Sequence, residues 1–417
     1  MKSNGVPFSV SSWPRAIAHV DADAFFVECE RVTNPELKGK CVAVGKDRGI
    51  VTAVSYEAKK RGVKRGMTVA QAKRVCKELI LLESDYEKYS LFSVKMFAIL
   101  REFSPTVEEY SIDEAFMDIT GLRRLYHSNY DRIALLIQEN IEKRLGISVS
   151  IGVAPTKVLA KIASKLNKPH GITAIKAREI HRYIASIDIA DVWGIGNNTA
   201  ALLRKIGINT ALEFAKSQEG YLRRYLSAPY IRIWHELRGE SVMPVKCTGT
   251  NRRKSISKAK SFHNATADER QLMGELVKNL EDACFIARKH KLFAKTLILF
   301  LKTEDFETSA VKVQLDTAAN APLLLTKALK KGFTIIYDKR RRYRQTGVIL
   351  TDLQHTTTYD LFKNRSKIAR IRRLYRAVDE INNRFNSSAV HLAARAFSIT
   401  HTRKTHKPRF PTLKIEI

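Results

Sequence analysis

The chain has 417 residues, 44% of them apolar, and a formal net charge of +31. That length calls for about two to four modules, and the apolar fraction excludes a disordered chain. So large a positive excess repels itself unless a polyanion is the partner, with nucleic acid the first candidate and an anionic membrane surface the second.

No run of about 18 apolar residues is present, so no membrane span is expected. The N-terminal stretch MKSNGVPFSVSSWPR lacks the apolar core of a signal peptide. The cysteines, at 29, 41, 76, 247 and 284, include no C-x-x-C pair. They suit a reducing, cytoplasmic location and suggest neither a disulfide framework nor a zinc site.

Ala16 to Val20 reads as a strand ending at Asp21, and Phe25 to Val32 as a short helix. Cys41–Val44 and Ile50–Val54 are strand candidates, followed by short basic helices at Tyr56–Arg61 and Thr68–Lys77. Tyr86 to Phe103 has the period of an amphipathic helix, with Leu91, Val94, Phe97, Ala98 and Leu100 as its expected apolar positions. Val107–Tyr110 and Ala115–Ile119 form a hairpin whose turn carries Asp113 and Glu114. A second amphipathic helix, Tyr130–Leu145, precedes a strand at Ser148–Val153 and a basic helix at Lys157–Leu166.

With the insert from about Phe25 to Glu83 set aside, the order is strand, helix, strand, strand, helix, strand. This is the split βαβ, ferredoxin-like pattern, in which the third strand lies beside the first and antiparallel to it. Asp21 ends the first strand and Asp113–Glu114 open the third, so the topology brings three carboxylates to one sheet edge. Clustered carboxylates repel one another without a cation. Oxygen ligands without His or Cys suit magnesium, and a pair of such ions supports phosphoryl transfer.

HVDADAFFVECE at 19–30, SYEAKKRGVKRGM at 55–67, YSIDEAF at 110–116, GVAPTKVLAKIASKLNKPHG at 152–171 and VWGIG at 192–196 together resemble the Y-family, UmuC- and DinB-like translesion DNA polymerases. The resemblance implies an α+β fold: a ferredoxin-like palm (1–24 and 84–176), small fingers (25–83), a helical thumb with a helix-hairpin-helix (177–243), a linker (244–259), a second split-βαβ little finger (260–354) and a basic tail (355–417). It implies Asp21, Asp113 and Glu114 as catalytic ligands of two Mg2+ ions, with the Ala22 carbonyl completing the site. Asp23 is expected to cap the Phe25 helix rather than to ligate. Phe26 would be the steric gate against a ribose 2′-OH, and Tyr56, Lys59 and Lys168 would hold the dNTP triphosphate. Lys59 stands where the family most often has Arg, so a point charge replaces a bidentate fork.

Gly194 and Gly196 bracket a turn that is either a plain helix–helix turn or a backbone nest for DNA phosphate. Arg252, Arg253, Lys254, Lys258 and Lys260 in PVKCTGTNRRKSISKAK, and Arg340, Arg341 and Arg342 before the last strand, are expected to contact the backbone of primer-template DNA. In the tail, Ile371, Leu374, Val378 and Ile381 form a helical stripe. Thr358 to Phe362 resembles a peptide that docks on the bacterial sliding clamp through Leu361 and Phe362; the alternative is an apolar anchor. His401 and His406 add basic character.

The expected activity is template-directed, magnesium-dependent DNA synthesis opposite damaged template, of low fidelity and without proofreading. Regulatory subunits are possible partners. A nucleotidyl cyclase with a similar palm and a non-catalytic DNA-binding scaffold are the competing readings.

Overall fold

A computed structural model describes residues 8, 12–46, 49–247, 253–356, 365–385 and 389–398. Arg252, the clamp-peptide residues Leu361 and Phe362, and His401 and His406 lie outside the described residues. The chain divides into two units, Met1–Thr250 and Asn251–Ile417.

In the first unit, β1 (Ile17–Ala22) leads into α1 (Phe25–Thr33) and then a small insert. The insert contains β2 (Val42–Gly45), β3 (Val51–Val54), α2 (Tyr56–Lys60), α3 (Val69–Val75) and β4 (Ile80–Leu82). Then follow α4 (Tyr86–Phe103), β5 (Val107–Glu109), β6 (Glu114–Asp118), the single turn α5 (Leu122–Leu125), α6 (Tyr130–Leu145), β7 (Val149–Ala154), α7 (Lys157–Leu166) and β8 (Ile172–Ala174). The palm sheet has the order β5-β6-β1-β7-β8. β6 is antiparallel to β1, with Asp21 opposite Glu114. The split βαβ order expected from sequence is the observed one.

Strand alternation explains the sheet's two covered faces. Ala18, Val20 and Ala22 join the core under α4 and α6, whereas Ile17 and Phe116 face α7. α7 approaches β7 closely because residue 152 is glycine. A Cβ there would stand 2.1 Å from the Ala160 carbonyl oxygen and 2.2 Å from the Ser164 amide nitrogen.

The α4 stripe differs from expectation. Tyr89, Ser93, Met96, Phe97 and Leu100 are buried, while Leu91 and Val94 are 55% and 65% exposed. The buried set follows the 3.6-residue period more closely, and the polar Ser93 within it disguises the phase. The insert holds its own three-stranded sheet, β3-β2-β4, with a core of small residues such as Ala43, Val51, Ala58 and Ala72. β4 is absent from the sequence reading; ILL is too short to carry a period.

The thumb is helical: α8 (Ile180–Tyr183), α9 (Asn197–Lys205), α10 (Ala211–Lys216), α11 (Glu219–Leu222) and α12 (Ala228–Leu237). Buried Glu236 secures it to α7. Its carboxylate accepts from the amides of Val158, Val242 and Met243 at 3.3, 2.9 and 2.8 Å.

The second unit contains β9 (Ser255–Thr266), α13 (Glu269–Lys289), β10 (Phe293–Thr303), β11 (Thr308–Ala319), α14 (Pro322–Ile336), β12 (Tyr343–Gln354) and α15 (Arg365–Arg384). Its sheet order is β11-β10-β12-β9. The first two strands of this unit are thus split by its fourth strand, where the palm uses its third. β9 begins at Ser255, inside the segment expected to be linker, because Ile256 and Phe262 are buried on a strand otherwise largely exposed. α15 packs through Ile371, Tyr375 and Val378, so the expected stripe holds at Ile371 and Val378, whereas Leu374 is 52% exposed and Tyr375 takes its place. Arg288 of α13 holds Asp379 of α15 bidentately at 2.6 and 2.7 Å.

Candidate active site

β1 and β6 end side by side, so their terminal carboxylates converge. Ligating atoms of His19, Asp21 and Glu114 all lie within 4.8 Å of one another. Asp113 is not in that group; its carboxylate takes a 2.5 Å hydrogen bond from Ser111 Oγ within the hairpin turn. Its carbonyl nonetheless ties the turn to β1 by accepting from the Ala22 amide at 2.9 Å.

Two lysines meet the acids. Lys168 Nζ lies 2.5 Å from Asp21 Oδ1, and Lys161 Nζ lies 2.5 Å from Glu114 Oε2. Buried His19 completes the Glu114 setting, with Nε2 3.1 Å from Oε2 and Nδ1 2.8 Å from Ser164 Oγ. A carboxylate only accepts, so Nε2 carries the hydrogen and Nδ1 accepts from Ser164. Burial pushes the Glu114 carboxyl up, but the His19 and Lys161 hydrogen bonds outweigh it and bring the pKa down to about 2. Burial also lowers the His19 pKa, so the ring is neutral near pH 7. The residues fit a hard divalent cation: anionic oxygens converge and, in this structure, ammonium groups neutralise them.

Asp23 does not cap α1. The N-cap residue is Ala24, with φ of 45° and no side-chain cap. Asp23 is buried instead and accepts from Ser148 Oγ and Ser150 Oγ, both at 3.0 Å, from the His170 amide at 2.9 Å and from Tyr56 OH at 3.2 Å. It therefore knots the insert to the palm. Tyr56 and Lys59, on α2, face the same place, with Lys59 Nζ 4.0 Å above the Tyr56 ring. Burial and then the nearby Lys168 charge lower the Lys59 pKa, against the opposing pull of the Asp23 and Asp21 carboxylates. Phe26 is stacked on Tyr89, with centroids 4.3 Å apart at 12°, and meets Tyr86 edge-on at 5.7 Å.

This geometry has counterparts among known proteins. Residues 20–165 match the model of the impB/mucB/samB family, and residues 253–361 match its C-terminal domain. DNA polymerase IV of Streptococcus pyogenes serotype M1 is 31% identical over 351 residues, covering 83% of this chain and 96% of the relative. The serotype M28 protein is 30% identical over the same span. The chain belongs to the Y-family of DNA polymerases. Among solved structures, a Y-family DNA polymerase chimera of Dbh and Dpo4 superposes with a TM-score of 0.70 at 26% identity, covering 82% of this chain and 100% of that one. An insertion ternary complex of Dbh DNA polymerase gives 0.58 at 26% identity, with coverage of 82% and 100%. Membership makes the chain a DNA-directed DNA polymerase of the polymerase IV type. It also removes the cyclase alternative.

Sequence reasoning missed His19, Ser164 and Lys161, which set the Glu114 carboxylate. A signal existed: Lys157, Lys161 and Ser164 are spaced i, i+4, i+7 along one face of a helix whose other residues, Lys165 aside, are apolar, and buried lysines imply acid partners. Lys157 indeed meets Glu108 at 2.8 Å. In the polymerase thumb, Gly194 has φ of 92° and a Cβ there would lie 2.7 Å from Ile233 Cδ1; Gly196 is the N-cap of α9. Trp193, beside them, donates from Nε1 to Tyr110 OH of the palm at 3.0 Å.

In the second unit, Arg253 and Lys254 are exposed at the start of β9. Lys258 shares the helix-covered face with Ile256 and lines a cavity of about 450 Å³ with Glu281, Asp282 and Asp379. Arg340, Arg341 and Arg342 sit on the turn before β12 and pair with Asp338 at 3.1 Å, Glu307 at 2.7 Å and Glu304 at 3.4 Å. The opposite sheet face carries Ser257, Ile298, Lys312 and Ile349 in register across four strands.

Proposed function

We propose that this polymerase adds dNTPs to a primer 3′-OH opposite damaged or distorted template, with Asp21, Asp113 and Glu114 as the magnesium-holding acids. The observation that carries the reading is the convergence of Asp21, Glu114, Lys59, Lys168 and Tyr56 at one sheet edge. Solved structures of Dbh polymerase are ternary complexes, which supports DNA and nucleotide as the ligands here.

Two magnesium ions, when bound, would lower the pKa of the primer hydroxyl and neutralise the triphosphate and pyrophosphate. The protein's own groups do the positioning. Lys59 and Lys168 present ammonium groups to the phosphates, and an arriving triphosphate relieves their mutual repulsion. Phe26, held flat by Tyr89, leaves no room beside the sugar for a 2′-OH. His19 and Lys161 keep the Glu114 carboxylate ionised and pointed. The fingers insert is small, so closure around the nascent pair is limited and base discrimination modest.

The test is single-nucleotide extension of a primed template, undamaged and with an abasic site, by wild type, Glu114→Gln and Asp113→Asn. Magnesium-dependent extension by wild type alone, past the lesion as well, is the expected result. Extension by the variants at wild-type rate would remove the acids from the mechanism, and stalling of wild type at the lesion would remove bypass.

A further inference from the structure

The fingers insert holds a second group of metal-ligating side chains, remote in sequence from the acids of the palm. Cys41 precedes β2, Cys76 is the C-cap of α3, and Glu78 precedes β4. No spacing pattern links them, yet their ligating atoms all lie within 4.8 Å of one another. We infer that Cys41, Cys76 and Glu78 form a binding site for a thiophilic divalent cation, zinc above all.

The backbone at Cys41 and Cys76 is already held. The Ile80 amide donates to the Cys41 carbonyl at 2.9 Å, which locks the start of β4 beside the start of β2. The Cys76 amide donates to Ala72 at 3.0 Å, and the Leu79 amide to Cys76 at 3.2 Å. Tetrahedral zinc, with bonds of about 2.3 Å to sulfur and 2.0 Å to oxygen, needs ligand atoms roughly 3.5 to 3.8 Å apart. Cys41 Sγ and Glu78 Oε1 are 3.8 Å apart. The remaining separations are at most 4.8 Å, so side-chain rotations that close them by about an ångström would complete the set.

Access and charge also fit. Both thiols are buried, but Cys41 and Glu78 line a cavity of about 460 Å³ together with Arg61, Lys60 and Lys40. Two thiolates, one carboxylate and a divalent cation sum to one negative charge, which Arg61 balances; its guanidinium lies 3.4 Å from Glu78 Oε1. That ion pair is exposed on both sides, so it yields to a cation at little cost. On binding, two S–H bonds break and both protons pass to solvent. Two metal–sulfur bonds and one metal–oxygen bond form.

The site has a structural use. The core of the insert is built mainly of alanine and valine, without an aromatic ring, and small cores of this kind gain from a metal staple. It would hold together the sheet that carries α2, and with it Tyr56 and Lys59.

The experiment titrates reduced, chelator-treated full-length protein with Cd2+ and follows thiolate-to-metal charge-transfer absorbance. One equivalent should produce the band. Cys41→Ser and Cys76→Ser should each abolish it, while Cys29→Ser, Cys247→Ser and Cys284→Ser leave it intact. Glu78 is exposed, so Glu78→Gln keeps the fold; it should weaken binding at least about tenfold, the low end of what loss of a supporting ligand costs. Zn2+ should compete the cadmium off and slow amide exchange in β2, α3 and β4. Absence of the band in wild type, its persistence in both cysteine variants, or a Cys41–Cys76 disulfide in protein that takes up no metal when reduced would overturn the assignment.

Discussion

Gly152→Ala is the most informative single substitution in this molecule. The added methyl would lie 2.1 Å from the Ala160 oxygen, where real contacts essentially never fall below 3.0 Å. The obstacle is helix backbone, so α7 must retreat by about 0.9 Å or more. Overpacking of this kind costs about 1–3 kcal/mol. For a unit of this size that is a fall in Tm of roughly 2–12 °C. The functional cost is larger. Lys161 and Ser164 move with the helix, and through them the Glu114 carboxylate and the His19 ring lose their present positions. A displacement near 1 Å at a reacting site costs about 100-fold in rate. The assay is primer extension at a temperature where circular dichroism shows the variant folded. A variant with wild-type Tm and wild-type extension would refute the claim that α7 packing sets the acid site.

Further outcomes are expected from the same geometry. Phe26→Ala should admit ribonucleotides; unchanged preference between dNTP and rNTP in competition assays would remove the gate assignment. Glu114, with its pKa depressed from 4.5 to about 2, contributes stability that is present above the ordinary carboxylate range and is lost as pH falls through that interval. Lys161→Met removes one cause of the depression, so its acid-unfolding curve should shift to higher pH; superimposable curves would contradict this. DNA affinity should fall steeply with salt, and replacing Arg340, Arg341 and Arg342 by Gln should reduce the slope of log K against log salt by up to about 2.7. An unaltered slope would mean that Asp338, Glu307 and Glu304 already satisfy these arginines.

The palm was legible because its information is periodic and local. Strand runs, two amphipathic helices and an acidic turn suffice to derive that Asp21 and Glu114 are neighbours, and β1 and β6 are registered accordingly. The phase of α4 was less legible, since Ser93 occupies a core position. Asp23 illustrates a second limit. An acid before a helix reads as a cap, but here Ser148, just before β7, and Ser150 within it, which arrive 125 and 127 residues later, capture it. Cys41 and Cys76 illustrate a third, because spacing rules describe ligands within one turn or loop. These two meet only through the β2–β4 pairing, and β4 itself is three residues long. The basic residues of the second unit were read from charge alone, which does not say which face of a strand Lys258 occupies.

The central position of β1 bears on how the protein is made. Ile17 pairs with Asp118 on one side and Ala154 on the other, so neither neighbour exists when the strand is synthesised. At roughly 5–20 residues per second, the ribosome needs about 7–27 s to deliver β7 after β1. Until β6 emerges that apolar strand waits unpaired, and until β7 one of its edges stays open, while the intervening insert, whose strands lie close together in sequence, is free to collapse first. The palm is thus a late event in the life of the nascent chain, and proteolysis of ribosome-stalled fragments ending before and after β7 would time it.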